Sequence, residues 1–414
     1  MKLIQVVKCW LLLCCVFPFI VFAKTEKPTL LVYGGTLQGY IAALQAANSG
    51  VPTLWLNTDA YSVNEDLEKL KNDTLTRLLD GGFSSFFGED DSDEINHNDI
   101  VDNYFNQNKH KSSFLTDNPL LYVVNSVDVK AIERTTKYWK VKLSNKLSYN
   151  FKVVLDATPS RELANKANLL EFPEPQIQQV ASLSLSDSRS IVLTTEYQNN
   201  VYSSRLIDVL SQNDNFFVFG LQDFMHDNLP LKFDYGQLMG AVTAYCTFFK
   251  TTADKIDLRT LQNELLVNKS RLMPWVNISY TDENFDALQR VFLSGVFPLE
   301  YSLKNLIYTK DDSVRVDLIQ PVIHKMFSRT QLWFYDNKAE YLTVQDAINL
   351  IKFAAFRAEE LNNEVEKNWN KLFKFASKYD PTRTISKYEF AVLFDYYAQP
   401  FLKKVSQDGN DIMR

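Results

Sequence analysis

The chain has 414 residues, a length that corresponds to about two to three domains, and its 46% hydrophobic and 13% aromatic content can fill a large core. A formal net charge of -6 leaves no basic footprint for a nucleic acid partner. The 12 glycines fall below the average of ~7%, a thin supply for a flavin or nicotinamide enzyme, whose cofactor loops consume glycine.

Met1 to Ala23 reads as an export signal. Lys2 and Lys8 form a basic start, Trp10 to Phe22 an apolar core, and Val21-Phe22-Ala23 a small-residue cleavage site before Lys24. The apolar core is shorter than the ~20 residues that a spanning helix needs, so cleavage would leave no stable membrane span. An uncleaved signal would act as an N-terminal anchor. The expected location is therefore periplasmic or extracellular. Cys9, Cys14 and Cys15 lie inside this segment, so the mature chain keeps Cys246 alone and forms no internal disulfide. Leu13 before Cys14 does not suit a lipobox. Asn72-Asp-Thr, Asn268-Lys-Ser and Asn277-Ile-Ser are glycosylation sequons in a eukaryotic source only. No twin arginine precedes the apolar core, so export in the unfolded state is expected, with any cofactor acquired afterwards.

Thr29 to Asp59 reads as strand, glycine turn, helix and second strand. Leu30 to Tyr33 is an apolar run without alternation, as expected of a parallel strand covered on both faces. Gly34 to Gly39 make the turn, Tyr40 to Ser49 an Ala-rich helix with Gly50 at its end, and Val51 to Leu56 the next strand. The amides that open such a helix can hold a pyrophosphate. The G-x-G-x-x-G fingerprint falls on Gly34, Thr36 and Gly39, with Thr at the middle glycine. The acidic ribose-binding position falls on Asn57, with Asp59 two residues on. An ordinary βαβ unit with a glycine turn is the plainer reading.

Glu65 to Leu79 reads as a helix stopped by Asp80-Gly81-Gly82. Gly88 to Asp99 is acidic and lacks the central Gly and terminal Glu of a calcium loop, so it reads as a solvated loop. Gly82 to Phe86 lacks the closing Gly of a nucleophile elbow. Leu120 to Val129, Trp139 to Leu143 and Tyr149 to Leu155 are strand-like; the first two and their continuation read as a small antiparallel meander, and the last runs into Asp156-Ala157-Thr158-Pro159. Phe216 to Gly220 is another buried strand. Gly236 to Gly240 are read as opening a helix, AVTAYCTFFKT, and Leu258 to Leu266 as another. His226 lies in the loop between and reads as a surface residue.

By these segments the chain resembles the FAD-dependent oxidoreductase family of the xanthan-lyase-like group. The residues that carry the likeness are LLVYGGTLQGYIAALQAANSG at 30–50, FKVVLDATPSRELANKANL at 151–169, and YGQLMGAVTAYCTFF with IDLRTLQNELL at 235–266. The resemblance implies an α/β, Rossmann-like FAD/NAD(P)-binding domain over residues 28–272 with a small antiparallel meander. It also implies FAD, with Gly34, Gly35, Thr36 and Gly39 at the pyrophosphate, Asn57 or Asp59 at the ribose and Val127 at the adenine. Asp156, Ala157 and Thr158 would form the inner turn, and Gly236 and Gly240 would offer helix-opening amides near the flavin. The chain departs from the family at Thr36, Asn57 and Pro159, and after Asn57 it lacks the family's Gly-rich loop. A domain that has lost turnover, a secreted binding or scaffold protein, therefore stands as the alternative. No side chain presents itself as a substrate acid or base, no Tyr/His/Arg constellation supports a lyase, and no metal site is expected. A small-molecule or carbohydrate substrate suits the class.

From Met273-Pro274 the pattern turns helical, an all-α region at 273–414. Asp282 to Leu293 ends at Ser294-Gly295, and Asp317 to Phe327 follows. Thr343 caps one long amphipathic helix, VQDAINLIKFAAFRAEEL, and Ser386 with Glu389 forms a capping box. The S-V-R-V-D and P-T-R-T-I-S-K-Y-E-F-A segments resemble degenerate S-layer-homology repeats, which would imply carbohydrate or envelope attachment. Phe390, Phe394 and Tyr397 at helical spacing favour the plainer reading, a helical cap packed on the first domain.

Overall fold

A computed structural model describes residues 27–58, 118–125, 127–180, 183–198, 200–210, 212–219, 228–297 and 306–412, with Val63, Asp66, Lys69 and Leu70. The export signal, most of the Glu65–Leu79 segment, the acidic 88–99 segment, Asp59 and His226 lie outside these residues.

Strands β1 (Leu30–Tyr33), β2 (Thr53–Asn57), β3 (Leu121–Asn125), β7 (Val153–Asp156) and β12 (Phe216–Val218) form a parallel sheet. The spatial order is β3-β2-β1-β7-β12, with the short antiparallel β11 (Gln212–Asn213) at the β12 edge. The chain order thus reverses beside β1, so the carboxyl ends of β1 and β7 mark the switch point of a doubly wound sheet, where such folds form their ligand crevice. All four residues of β1 are buried, because sheet neighbours and both covering layers are apolar.

One face carries α1 (Leu37–Asn48) and α5 (Leu229–Phe249); the other carries the meander β4 (Val129–Arg134), β5 (Trp139–Leu143) and β6 (Ser148–Phe151). Strand β5 alternates, with Trp139, Val141 and Leu143 inward and the lysines between them outward. The expected meander strand over Leu120 to Val129 is corrected: Leu121–Asn125 pairs in parallel with β2 as β3, and the first strand of the meander begins only at Val129. Between β7 and β11 the chain makes α2 (Glu162–Lys166), the short β8 (Gln178–Gln179), α3 (Leu185–Ser190), then β9 (Ile191–Tyr197) and β10 (Asn200–Arg205), which with β8 form a second small sheet. The fold class is therefore α/β, Rossmann-like, with a small meander and a helical C-terminal region.

The expectation for Gly236 and Gly240 is corrected here. Helix α5 opens at Leu229, capped by the Asn228 side chain with Pro230 in its first turn, so both glycines are interior. A Cβ at Gly236 would meet the Gln38 carbonyl oxygen at 2.7 Å, and one at Gly240 the Ala42 carbonyl oxygen at 2.5 Å. They let two backbones touch; their amides belong to the helix. Because Gly236 lies over Gln38 and Gly240 over Ala42, the two helices run in the same direction. The N-terminus of α5 then projects beyond that of α1 by six residues, the seven from Leu229 to Gly236 less the one from Leu37 to Gln38, or about 9 Å at ~1.5 Å per residue.

The C-terminal helices are α7 (Phe285–Ser294), α8 (Val316–Met326), α9 (Thr330–Asp336), α10 (Val344–Ala355), α11 (Glu360–Asn368) and α12 (Lys387–Ala398), after α6 (Leu258–Val267). The long helix expected from Thr343 is two: Phe356 takes a left-handed conformation (φ 55°) and ends α10. The capping boxes at Thr343–Asp346 and Ser386–Glu389 are both formed. Before α8, α10 and α12 three short segments close a ring. Leu342 N–H donates to the Val314 carbonyl (3.0 Å), Val314 N–H to Ile385 (3.3 Å) and Ile385 N–H to Leu342 (3.0 Å). The S-V-R-V-D and R-T-I-S-K-Y-E segments thus share their role with a third, Y-L-T-V-Q-D. The apolar core runs without interruption from the sheet into these helices.

Candidate functional site

The turn between β1 and α1 is built on close approach. Gly34 has φ 125°, and a Cβ there would lie 3.0 Å from the Ala157 carbonyl carbon. Gly39 backs onto the Ala157 side chain, where a Cβ would come within 2.9 Å. Thr36 caps α1: its hydroxyl accepts from the Gly39 amide (3.2 Å) and donates to the Ala157 carbonyl (3.0 Å), joining the turn to the end of β7. Threonine here does in side-chain hydrogen bonds what the missing glycine does in space. The Gly35 amide donates to the Thr58 hydroxyl (3.1 Å) and the Trp55 indole to the Gly34 carbonyl (2.9 Å). Among the described residues no group accepts from the Thr36, Leu37 or Gln38 amides, so the first turn of α1 keeps its donors for an anion.

Other expected site residues divide between wall and scaffold. Asp156 is fully buried and turned away from the crevice. It accepts from the Leu163 (2.7 Å) and Ala164 (2.9 Å) amides that open α2, and from the Thr158 amide (3.0 Å) and hydroxyl (2.6 Å). Burial pushes its carboxyl up while those four donors pull it back. Thr158 completes the same network by accepting from the Glu162 amide (2.8 Å). Asp156 and Thr158 therefore shape the inner turn from behind, and Ala157 is its contact surface. Val127 is half-buried and packs on the meander side of the sheet.

Asn57, at the carboxyl end of β2, is 1% exposed and donates to Asn125 Oδ1 at 3.1 Å across the β2–β3 pair. Its own Oδ1 accepts nothing. A buried acceptor without a donor costs about 1–3 kcal/mol, and this one sits where a ribose hydroxyl would be read. Sequence reading misses a second such atom. Asn228, 0% exposed, uses Oδ1 to cap α5 at Leu231 (2.9 Å) while Nδ2 has no partner. The signal was present in Asn228-Leu-Pro230, an N-cap followed by proline in the first turn. The residues thus fit a dinucleotide: amides for its diphosphate, an orphan acceptor at one end and an orphan donor at the other. Among the described residues no cluster of His, Cys, Asp and Glu could hold a metal, and no helix is long and apolar enough to cross a membrane.

The geometry defines a Rossmann-like dinucleotide-binding fold. No family model and no curated protein matches the chain. Among solved structures it is similar to the thioredoxin reductase of T. acidophilum, at 15% identity over 31% of this chain and 34% of that one, with a TM-score of 0.20. It is also similar to AlpK, at 11% identity over 64% and 73% with a TM-score of 0.33. A third is the p-nitrophenol 4-monooxygenase PnpA of Pseudomonas putida DLL-E4, at 10% identity over 67% and 95% with a TM-score of 0.31. The chain spans about a third of the length of the thioredoxin reductases that it matches. Likenesses this distant carry no functional weight; the strand order defines the fold.

Proposed function

We propose that the protein is an exported FAD-dependent oxidoreductase acting on a small-molecule or carbohydrate substrate. The observation that carries the cofactor reading is two buried, half-satisfied amide side chains, Asn57 with an unpartnered Oδ1 and Asn228 with an unpartnered Nδ2, beside a helix N-terminus with unused donors. In this reading the Thr36, Leu37 and Gln38 amides hold the diphosphate, whose charge the helix dipole favours. Asn57 Oδ1 accepts from the ribose. Asn228 Nδ2 and the first amides of α5 face the flavin carbonyl edge, about 9 Å beyond the start of α1. FAD when bound supplies two-electron redox chemistry. Gly34 and Gly39 serve by being small, and Gly236 and Gly240 by letting α5 lie close enough to α1 to aim its tip. Membership of the xanthan-lyase-like group, resting on the three segments quoted above, is the finer form of this proposal.

The purified protein after incubation with FAD and desalting tests it. A retained visible flavin band, lost on denaturation, is the expected result. A colourless protein in the native and reconstituted states removes the cofactor and leaves the scaffold alternative. Export rests on Met1 to Ala23, and N-terminal sequencing of the secreted chain should begin at Lys24.

A further inference from the structure

Helix α5 ends in two exposed phenylalanines. Phe248 is 63% and Phe249 52% exposed; their rings meet at 5.1 Å, and Phe249 rests on Tyr245 at 4.5 Å. Lys250 follows in a left-handed conformation (φ 54°) that closes the helix, and Lys255 stands exposed in the next turn. Neither lysine has an ion pair among the described residues. Asp254 is the exposed acid beside them, while Asp257 is paired with Lys404 at 3.2 Å. Exposed aromatic rings rimmed by cations mark a surface made for a partner.

This end of α5 lies beside the start of the described chain. The Asn215 side chain donates to the Thr251 carbonyl (2.9 Å), the Val154 amide to the Asn215 carbonyl (3.1 Å) and the Lys152 amide to the Thr29 carbonyl (2.8 Å). Thr29, Lys152 and Asn215 thus form a row across the amino ends of β1, β7 and β12, two strand spacings or about 10 Å wide. Lys27, two residues before Thr29, is exposed. It stands five residues after Phe22, where the apolar run of the export signal ends, a reach of at most about 18 Å. While that run is in a bilayer, the amino-end face is the one held nearest the lipid. The turn between β1 and α1 lies at the opposite end of the same strands.

We propose, resting on the export reading above, that this face seats the mature protein on an anionic lipid surface. Phe248 and Phe249 enter the headgroup layer, where their apolar area leaves water, and Lys250, Lys255, Lys152 and Lys27 meet lipid phosphates. The face supplies both signals that a lasting surface attachment needs, an apolar insert and a cationic rim. The point at which the chain leaves its export signal fixes which end meets the bilayer. The opposite end, with the β1–α1 turn, then faces the aqueous side and is open to a soluble substrate.

The test is flotation of the chain from Lys24 onward with vesicles of phosphatidylcholine, alone or mixed with phosphatidylglycerol. Binding to the mixed vesicles should be at least about tenfold tighter than to the neutral ones and should weaken steeply from about 0.05 M to about 0.5 M salt. Phe248→Ser with Phe249→Ser should weaken it at least about tenfold at an unchanged thermal midpoint. Lys250→Gln with Lys255→Gln should weaken it about tenfold. Leu332→Ser with Tyr335→Ser, exposed on α9, should leave it unchanged. Wild type that does not bind mixed vesicles, or binds neutral ones equally, overturns the proposal, as does an undiminished Phe248/Phe249 double variant or an equal loss in the α9 variant. A dimer seen by sedimentation velocity without vesicles, and split by the Phe248/Phe249 variant, assigns the face to a second copy and overturns it too. Cell fractionation that finds the chain unexported overturns the export reading and the placement with it, even where the purified protein binds vesicles.

Discussion

At the scale of single residues, the site separates side chains that hold the crevice from those that face it. Asp156 is at the sequence position expected to touch a cofactor, yet its oxygens are consumed by the opening of α2. Asp156→Ala strands two buried amides and should cost about 2–3 kcal/mol, seen as a lower urea midpoint, without changing the chemistry of any ligand. Gly34→Ala forces a side chain into positive φ and against Ala157. It should cost about 1–3 kcal/mol and abolish FAD uptake, measured by retained flavin absorbance. Asn57→Leu removes the orphan acceptor and the bond to Asn125; FAD affinity should fall about tenfold, or ~1.4 kcal/mol, read by calorimetric titration. Spacing within one βαβ unit fixes where Gly34, Thr36, Gly39 and Asn57 sit, so their places at the β1–α1 turn and the end of β2 are legible in sequence. The unpartnered Nδ2 of Asn228 is not, since it depends on which elements pack beside that residue.

At the scale of elements, local signals were legible and crossings were not. β1, α1, β2, the Trp139–Leu143 strand and the capping boxes follow from apolar runs and Ser/Thr caps, which act over a few residues, while the expected meander strand at Leu120 to Val129 went to the parallel sheet, because which sheet a strand joins is a non-local matter. The glycines of α5 mislead because glycine opens turns more often than it lines helix contacts, and only the meeting with Gln38 and Ala42 shows their use. The end of α10 at Phe356 carries no glycine or proline, so periodicity runs through it. Gly240→Ala places a methyl 2.5 Å from the Ala42 carbonyl oxygen. It should destabilise by about 1–3 kcal/mol through overpacking, shifting the unfolding midpoint at unchanged m-value. It should also weaken FAD binding more than Ser386→Ala, which removes only the α12 cap at about 1 kcal/mol.

At the scale of the whole molecule, a continuous core joins sheet, small sheet and C-terminal helices, so the region beyond Met273 supports the fold whatever else it binds. Burial also sets the alkaline limit. Tyr40, Tyr235 and Tyr308 are deeply buried, and desolvation holds their phenols above the ordinary value. The native state therefore keeps protons that the unfolded chain has released above about pH 10, and stability should fall as pH rises beyond it. Phenolate absorbance should then appear together with loss of native circular dichroism.

The central claim is that α1 binds the diphosphate of a dinucleotide. Thermal unfolding with FAD, and separately with FMN, which lacks the adenylate half, tests it most directly. FAD at roughly 100 times its Kd should stabilise by about 2.7 kcal/mol in wild type and not in Gly34→Ala, with little effect from FMN. Equal midpoints with and without FAD in the wild type would contradict the account.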